Sequence, residues 1–211
     1  MKSTNILNTL AVLLAGANAL STPLADRSEV AGVPEGYGIV DIEWEVETTP
    51  GGPNITLTGT AEQVHAQLVK INPNWDEEFA PIIDKRSAEF DNSLKARALD
   101  KRDWIKCGAG HSAARQGAIE TGVAYLRTLS GSASRGPGPR NCGRVSCSYD
   151  SAIWYCNDNT GHSKSMQWFH IANAAQVLLD ACSWESWYFW YVRGERWHND
   201  GWFAIVMGDS C

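Results

Sequence analysis

The second half of the sequence predicts an α+β fold: an antiparallel sheet with two helices on one face, stapled by disulfides and preceded by a small ββα unit. Apolar residues repeat with helical spacing in two segments and with strand spacing in four, in the order strand, helix, strand, strand, helix, strand. This order is the split βαβ pattern. All six cysteines lie in the same half of the chain, which predicts three bridges across this fold.

The first strand and helix of this pattern lie between residues 103 and 131. Residues 103–107 form a short strand, and Ser112 caps a helix with one apolar stripe that ends before Gly131. Residues 131–141 contain the sequence Gly-Pro-Gly-Pro. We expect a loop there, because glycine and proline disfavour the interiors of helices and strands.

Two strands, a helix and a last strand complete the pattern. Residues 144–149 alternate in polarity, residues 152–156 form a second strand with side chains on both faces, and the two predict a tight hairpin. A second helix opens at Ser163 or Ser165. Residues 202–207 are continuously apolar, which predicts a central strand buried on both faces. Residues 187–192 are a candidate for one further strand.

An acidic segment before the cysteines carries its own pattern. Apolar residues alternate with acidic ones from Val40 to Glu47, a glycine-rich turn follows, and a second short strand returns. Thr60 and Gln63 then form a capping box ahead of a helix. Because a ββα unit of about 40 residues is too small to be stable alone, we expect it to pack on the cysteine-rich part or to stay marginal.

The N-terminus carries the pattern of a secretory signal peptide. Lys2 precedes a short apolar run that ends in small residues, which predicts cleavage after Ala19 and an extracellular product. The run is shorter than the roughly 20 residues that a membrane-spanning helix needs. The sequence Asn54-Ile55-Thr56 is a glycosylation sequon in the predicted turn.

Two dibasic pairs, Lys85-Arg86 and Lys101-Arg102, are candidate sites for a kexin-type protease. From residue 20 to 102 the chain has 15 acidic and 8 basic residues, whereas residues 103–211 have 9 of each. Eight of the ten tryptophans also follow Arg102. This change of composition predicts three parts: a signal peptide (residues 1–19), an acidic pro-region (residues 20–102) and a mature disulfide-rich domain (residues 103–211).

The predicted bridges involve Cys107, Cys142, Cys147, Cys156, Cys182 and Cys211. Spacing alone leaves the pairing open, although Cys147 and Cys156 are candidates to face each other across the hairpin. No pair has C-x-x-C spacing and the secretory route oxidises thiols, so we expect neither a metal site nor a cofactor.

The stretch from Gly136 to Asn159 resembles a group of small secreted cysteine-rich proteins of filamentous fungi. Those proteins share a signal peptide, an acidic pro-region with a Thr-Pro-Gly-Gly turn like residues 49–52, a dibasic site, and a Gly-Asp-x-Cys sequence like residues 208–211. The architecture is also similar, more loosely, to fungal killer toxins and related effector domains. These resemblances imply secretion, processing and action outside the cell.

Two kinds of site are candidates in the mature part. The late tryptophans, Trp184, Trp187, Trp190 and Trp197, can form an exposed platform for a partner or can fill the core. A hydrolase of the ribonuclease type would instead use His198, Asp200 and His111 as acid and base. The sequence shows no motif of such an enzyme, so we expect the histidines to be surface or cap residues.

The sequence therefore favours a secreted effector or killer-toxin-like protein that is activated by kexin-type processing. Its partner would be a protein, glycan or lipid on the surface of a host or competitor cell. The alternatives are a small secreted hydrolase and a carbohydrate-binding module. Nucleic acid is not an expected partner, because the mature part is neutral and carries no basic stripe.

Overall fold

The computed structural model of the protein describes residues 32–96, 103–129, 131–135 and 138–211. The predicted signal peptide with Ala19 and the dibasic pair Lys101-Arg102 lie outside the described residues. We refer to residues 32–96 as the N-terminal segment and to residues 103–211 as the cysteine-rich segment.

Helices and strands follow the chain in this order. The N-terminal segment contains β1 (Gly38–Ile39), β2 (Glu43–Glu47), β3 (Asn54–Thr58), α1 (Ala61–Ile71) and α2 (Trp75–Ala96). The cysteine-rich segment contains β4 (Trp104–Cys107), β5 (Ala114–Arg115), α3 (Gln116–Thr128), β6 (Ser132–Arg135), β7 (Asn141–Ser148), β8 (Ser151–Asn157), α4 (Trp168–Cys182), β9 (Ser183–Ser186), β10 (Phe189–Val192), β11 (Gly194–His198) and β12 (Trp202–Gly208).

The ββα unit of the N-terminal segment is present where the sequence predicts it. Strands β2 and β3 pair antiparallel, and Thr60 and Gln63 form the capping box of α1. The exposed Asn54 of the sequon begins β3. Helix α2 extends this unit, and sequence analysis did not include it because its apolar residues are few and Pro81 lies inside it.

A six-stranded sheet forms the centre of the molecule, with the strand order β1-β7-β8-β12-β11-β4. Neighbouring strands are antiparallel except for β1, which pairs parallel with β7. Strand β12 is central and buried on both faces, as its continuous apolar sequence predicts. The N-terminal segment therefore supplies one edge strand of the central sheet.

Both α3 and α4 lie on one face of this sheet. Their apolar stripes pack with the sheet residues Val145, Ile153, Ala204 and Val206 in one buried cluster. The opposite face carries Phe203, Ile205 and Met207, and the N-terminal residues Val33 and Tyr37 pack against it. The predicted fold class is confirmed: an α+β architecture with an antiparallel-rich sheet, two helices on one face and three disulfides.

Several predicted element boundaries were wrong. Helix α3 begins after Arg115 and α4 after Gln167, so Ser112, Ser163 and Ser165 do not cap them. Residues 132–135, predicted to lie in a loop, form β6 and pair antiparallel with β2. That pairing joins two distant parts of the chain, and local glycine and proline content carries no information about it.

Three disulfides connect the cysteine-rich segment, and they pair Cys107 with Cys182, Cys142 with Cys156, and Cys147 with Cys211. The candidate pairing of Cys147 with Cys156 is wrong because a two-residue turn sets the hairpin register. Ser148 pairs with Ser151, which places Cys147 opposite Ala152, and a register shift between Arg144 and Ser146 then places Cys142 opposite Cys156. Within the described ranges, no helix has both the length and the hydropathy needed to cross a membrane.

The two segments share one hydrophobic core. Trp44, Trp75 and Phe79 of the N-terminal segment are fully buried in the same cluster as the α3 and α4 stripes. The Trp44 ring stacks on Trp168 of α4. Fully burying a large apolar side chain contributes roughly 1.5–3 kcal/mol, so these side chains account for a substantial part of the stability.

Gly131 tests the contact between the two segments. Its φ is +101°, and a Cβ atom at this position would collide with the carbonyl oxygen of Glu45 in β2. We expect Gly131→Ala to destabilise the fold by about 2–4 kcal/mol, because both the backbone conformation and the approach of β2 require glycine. Urea unfolding followed by tryptophan fluorescence measures this change.

Gly161→Ala is the control, since a Cβ there meets no atom within 4 Å and its φ is not in the left-handed region. Equal stability of the two variants would show that β2 does not depend on close approach to Gly131.

Candidate functional site

Strands β9 and β10 form a hairpin with aromatic residues at its tip, which we call the aromatic hairpin (residues 183–192). The pairing runs from Ser183 opposite Val192 to Ser186 opposite Phe189. Four consecutive residues at the tip are exposed: Trp187 (87%), Tyr188 (93%), Phe189 (60%) and Trp190 (52%). Monomeric proteins rarely expose contiguous apolar surface without a binding role.

The turn of the aromatic hairpin is strained. Trp187 and Tyr188 have φ values of 50° and 69°, in the left-handed region. Two-residue hairpin turns normally use asparagine, aspartate or glycine there, and a bulky residue costs roughly 1–2 kcal/mol. The chain thus holds two aromatic side chains at a tip where burial does not offset the strain, which is typical of a functional position.

The base of the hairpin is firmly anchored. Cys182, just before β9, is bonded to Cys107 of β4. Strand β10 also pairs with β5, and Val192 is fully buried. The Trp184 ring stacks on Tyr191 across the hairpin. The aromatic tip is therefore presented on a rigid support, which lowers the entropic cost of binding.

Three of the four predicted binding tryptophans lie together on this hairpin. Trp187 and Trp190 are exposed at the tip, and Trp184 is half-buried nearer the base, with the Arg193 guanidinium 5.3 Å from its ring centroid. Trp197 lies instead in β11 of the central sheet, stacked between Trp104 and Phe203.

The sequence also indicated Tyr188 as part of an aromatic platform, but it did not single out Phe189, the remaining residue of the tip. The hairpin itself was missed because its turn, Ser-Trp-Tyr-Phe, contains none of the usual turn residues. A usable signal was present, however. Residues 187–192 are all aromatic or apolar. Because strand side chains alternate between two faces, a short strand outside the central sheet cannot bury all of them.

His111 forms a buried pair with Glu195, which corrects the expectation of a surface or cap histidine. The imidazole Nε2 of His111 lies 2.8 Å from Glu195 Oε1, and both side chains are almost fully buried. The Trp197 indole donates to the other carboxylate oxygen at 2.8 Å. Burial acts to raise the pKa of Glu195, but the hydrogen bonds from His111 and Trp197 hold it below its ordinary value.

His198 lies in a second polar cluster, together with Asp103 and Arg196. Its Nδ1 is 3.0 Å from Asp103 Oδ2, and its ring stacks on Trp202. Burial and the charge of Arg196 lower the pKa of His198 to about 4, against the opposing charges of Asp103 and Asp200. The Nε2 atom is buried and has no partner among the described residues, so a proton there would be unsatisfied.

The structure does not bring His111 together with His198 or Asp200, the residues proposed to act with it as acid and base. On β11, Glu195 pairs with Ile205 and its partner His111 shares that face of the sheet, whereas His198 pairs with Trp202 on the helix face. Asp200 is exposed and forms an ion pair with Lys164 at 3.0 Å. Among the described residues, no group of three or more potential ligands is arranged to hold a metal ion.

Comparison with known proteins adds no assignment: no family model, no curated protein and no solved structure matches the chain. Among the features described above, the aromatic hairpin is the strongest candidate for a functional site.

Replacing the two residues of the strained turn should make the fold more stable while it removes two of the exposed aromatic side chains. We expect Trp187→Asn combined with Tyr188→Gly to raise the free energy of unfolding by about 1 kcal/mol, because Asn-Gly adopts this turn without strain. Urea unfolding at neutral pH measures the change. A loss of stability would mean that the two aromatic side chains make contacts that outweigh the backbone strain.

The low pKa of His198 predicts a pH dependence of stability. Between pH 6.5 and about 4 the unfolded chain binds a proton at His198 that the folded chain does not, so stability falls as the pH is lowered. His198→Gln should make this decline shallower, as measured by urea unfolding at pH 7 and pH 5. The lowered pKa of Glu195 also makes the folded state less stable as the pH falls. This contribution is present in every variant, so the difference between His198→Gln and the wild-type protein reports on His198 alone. The exposed His162→Gln is the control, and parallel curves for all three proteins would contradict the assignment.

Proposed function

We propose that the chain is a secreted effector or killer-toxin-like protein that binds the surface of a target cell through the aromatic hairpin. The observation that carries this proposal is the tip of four exposed aromatic residues in a strained turn, residues 187–190. Tryptophan and tyrosine are the residues that most often dominate binding energy. The three disulfides suit an oxidising, extracellular setting.

The chemistry of the tip favours a lipid surface over a flat protein or sugar partner. The six residues 187–192 include no charged side chain, and Trp187 and Tyr188 project almost completely into solvent. Tryptophan and tyrosine concentrate at membrane–water interfaces, where their rings are apolar and their N–H and O–H groups remain hydrated. A protruding hairpin tip can enter the headgroup region, whereas sugar binding usually needs an open flat platform.

Processing at Lys101-Arg102 completes the proposal. The other pair, Lys85-Arg86, lies within α2, and the Arg86 guanidinium donates to the carbonyl of Leu129 at 3.1 Å. A protease that reads extended chain cannot engage a pair held in this way, so Lys101-Arg102 is the favoured site of the two.

The hydrolase alternative gains no support, because His111 and His198 lie on opposite faces of the sheet and Asp200 lies in the turn after β11. The carbohydrate-binding alternative would use the same hairpin and is separated from lipid binding by the experiment below.

Co-sedimentation of the secreted protein with vesicles of phosphatidylcholine and phosphatidylglycerol tests the function. We expect the wild-type protein to bind, with a blue shift of tryptophan emission. The double variant Trp187→Ser and Trp190→Ser should bind at least tenfold more weakly, because two large apolar side chains are lost. The variant Tyr149→Ser is the matched control, since Tyr149 is an exposed aromatic residue in the turn of another hairpin with a similar φ of 49°.

Binding of the double variant at the wild-type level would contradict the proposal. Failure to bind vesicles together with hairpin-dependent binding to chitin or β-glucan would replace the lipid target with a carbohydrate.

A further inference from the structure

We infer that the N-terminal segment is a permanent subunit of the active protein: after a cut between residues 96 and 103, it stays bound to the cysteine-rich segment as a second, non-covalent chain. This inference depends on the proposed processing step for its occurrence in the cell. It depends only on the structure for its physical basis, and the experiment below separates the two.

The shared core is the first reason. The buried side chains that the N-terminal segment contributes to it are Ile42, Trp44, Val46, Ala61, Val64, Leu68, Trp75 and Phe79. Their partners lie on α3 and α4, including Leu126 and Trp168. Release of the segment would expose both sets to water at once. An interface of this kind resembles a domain core cut in two, which is typical of permanent complexes.

Backbone pairing is the second reason. Strand β1 extends the central sheet alongside β7, where the Gly38 N–H donates to Arg140 O and the Val40 N–H donates to Cys142 O, each at 2.9 Å. Strand β2 pairs with β6 of the cysteine-rich segment in a separate three-stranded sheet. Loss of the segment would leave two strand edges unpaired, and exposed edges promote aggregation.

Polar contacts make the fit specific. The Glu62 carboxylate of α1 accepts hydrogen bonds from the Ser146 hydroxyl and from the Cys147 backbone N–H (3.3 Å). The Tyr37 hydroxyl donates to Asp158. These contacts lie on different sides of β7 and β8, so the N-terminal segment contacts both faces of the central sheet.

The aromatic hairpin needs no uncovering. Its tip is exposed while the N-terminal segment is in place, so binding does not require the segment to leave. The three disulfides lie wholly within the cysteine-rich segment and use all six cysteines, so the association after a cut would depend on non-covalent contacts alone.

The test uses the full chain with residues 97–102 replaced by the recognition sequence of a site-specific protease. The folded protein is cut, then analysed by size-exclusion chromatography and native mass spectrometry without reducing agent. We expect both fragments to elute together with the summed mass, and to separate in 6 M guanidinium. Elution of the fragment that begins at residue 103 by itself, still folded, would overturn the inference.

Two variants test the interface. Trp44→Ala should weaken the association of the cut fragments by about a hundredfold or more, because it removes a fully buried ring from the shared core. Glu62→Gln, a milder change, should weaken it about tenfold and guards against failure of the first variant to fold. Ile71→Ala is the matched control, since Ile71 lies on the same helix as Val64 and Leu68 but is 53% exposed. Equal dissociation of all variants would also overturn the inference.

Intact mass spectrometry of the naturally secreted protein, under denaturing conditions, tests processing separately. A single uncut chain would refute the proposed cut at Arg102 but not the interface, which the engineered cut addresses. Native mass spectrometry of the same sample then tests retention, and a native mass equal to residues 103–211 alone would confirm the cut and refute the retained subunit.

Discussion

The stacking of Trp44 on Trp168 is the contact on which the architecture depends. Trp168 begins α4, and α4 covers the helix face of the central sheet. Trp44 lies in β2, which is held between β3 and β6. The contact therefore joins the two segments at the point where strand β2 of one meets helix α4 of the other. The close approach of β2 to Gly131 follows from the same arrangement.

Local pattern predicted the elements whose partners are close in sequence. The β2–β3 hairpin, the capping box of α1, the β7–β8 hairpin and the buried strand β12 all follow from alternation, turn residues or continuous apolar sequence. Elements that need a distant partner were missed. Strand β6 exists because β2 lies beside it, and β1 has only two residues whose pairing with β7 defines them as a strand.

The candidate site shows the same division. The density of aromatic residues after Ala181 was visible in the sequence, but the turn at Trp187-Tyr188 contradicts ordinary turn preferences. Trp202 and Trp197 belong to the same run and yet pack into the central sheet. The pairing of His111 with Glu195 joins residues far apart in the chain, and composition alone cannot distinguish such a buried histidine from a surface one.

The disulfides connect the cysteine-rich segment to itself, so the N-terminal segment is held by the peptide chain, the shared core, the strand pairing and the polar contacts. In the uncut chain the two segments meet at a high effective concentration that the connecting residues set. A cut makes their association bimolecular, so the stability of the fold then depends on how concentrated the protein is. Once cut, the molecule would be most stable where the protein is concentrated, and the extent of dilution would set how long the two segments stay together.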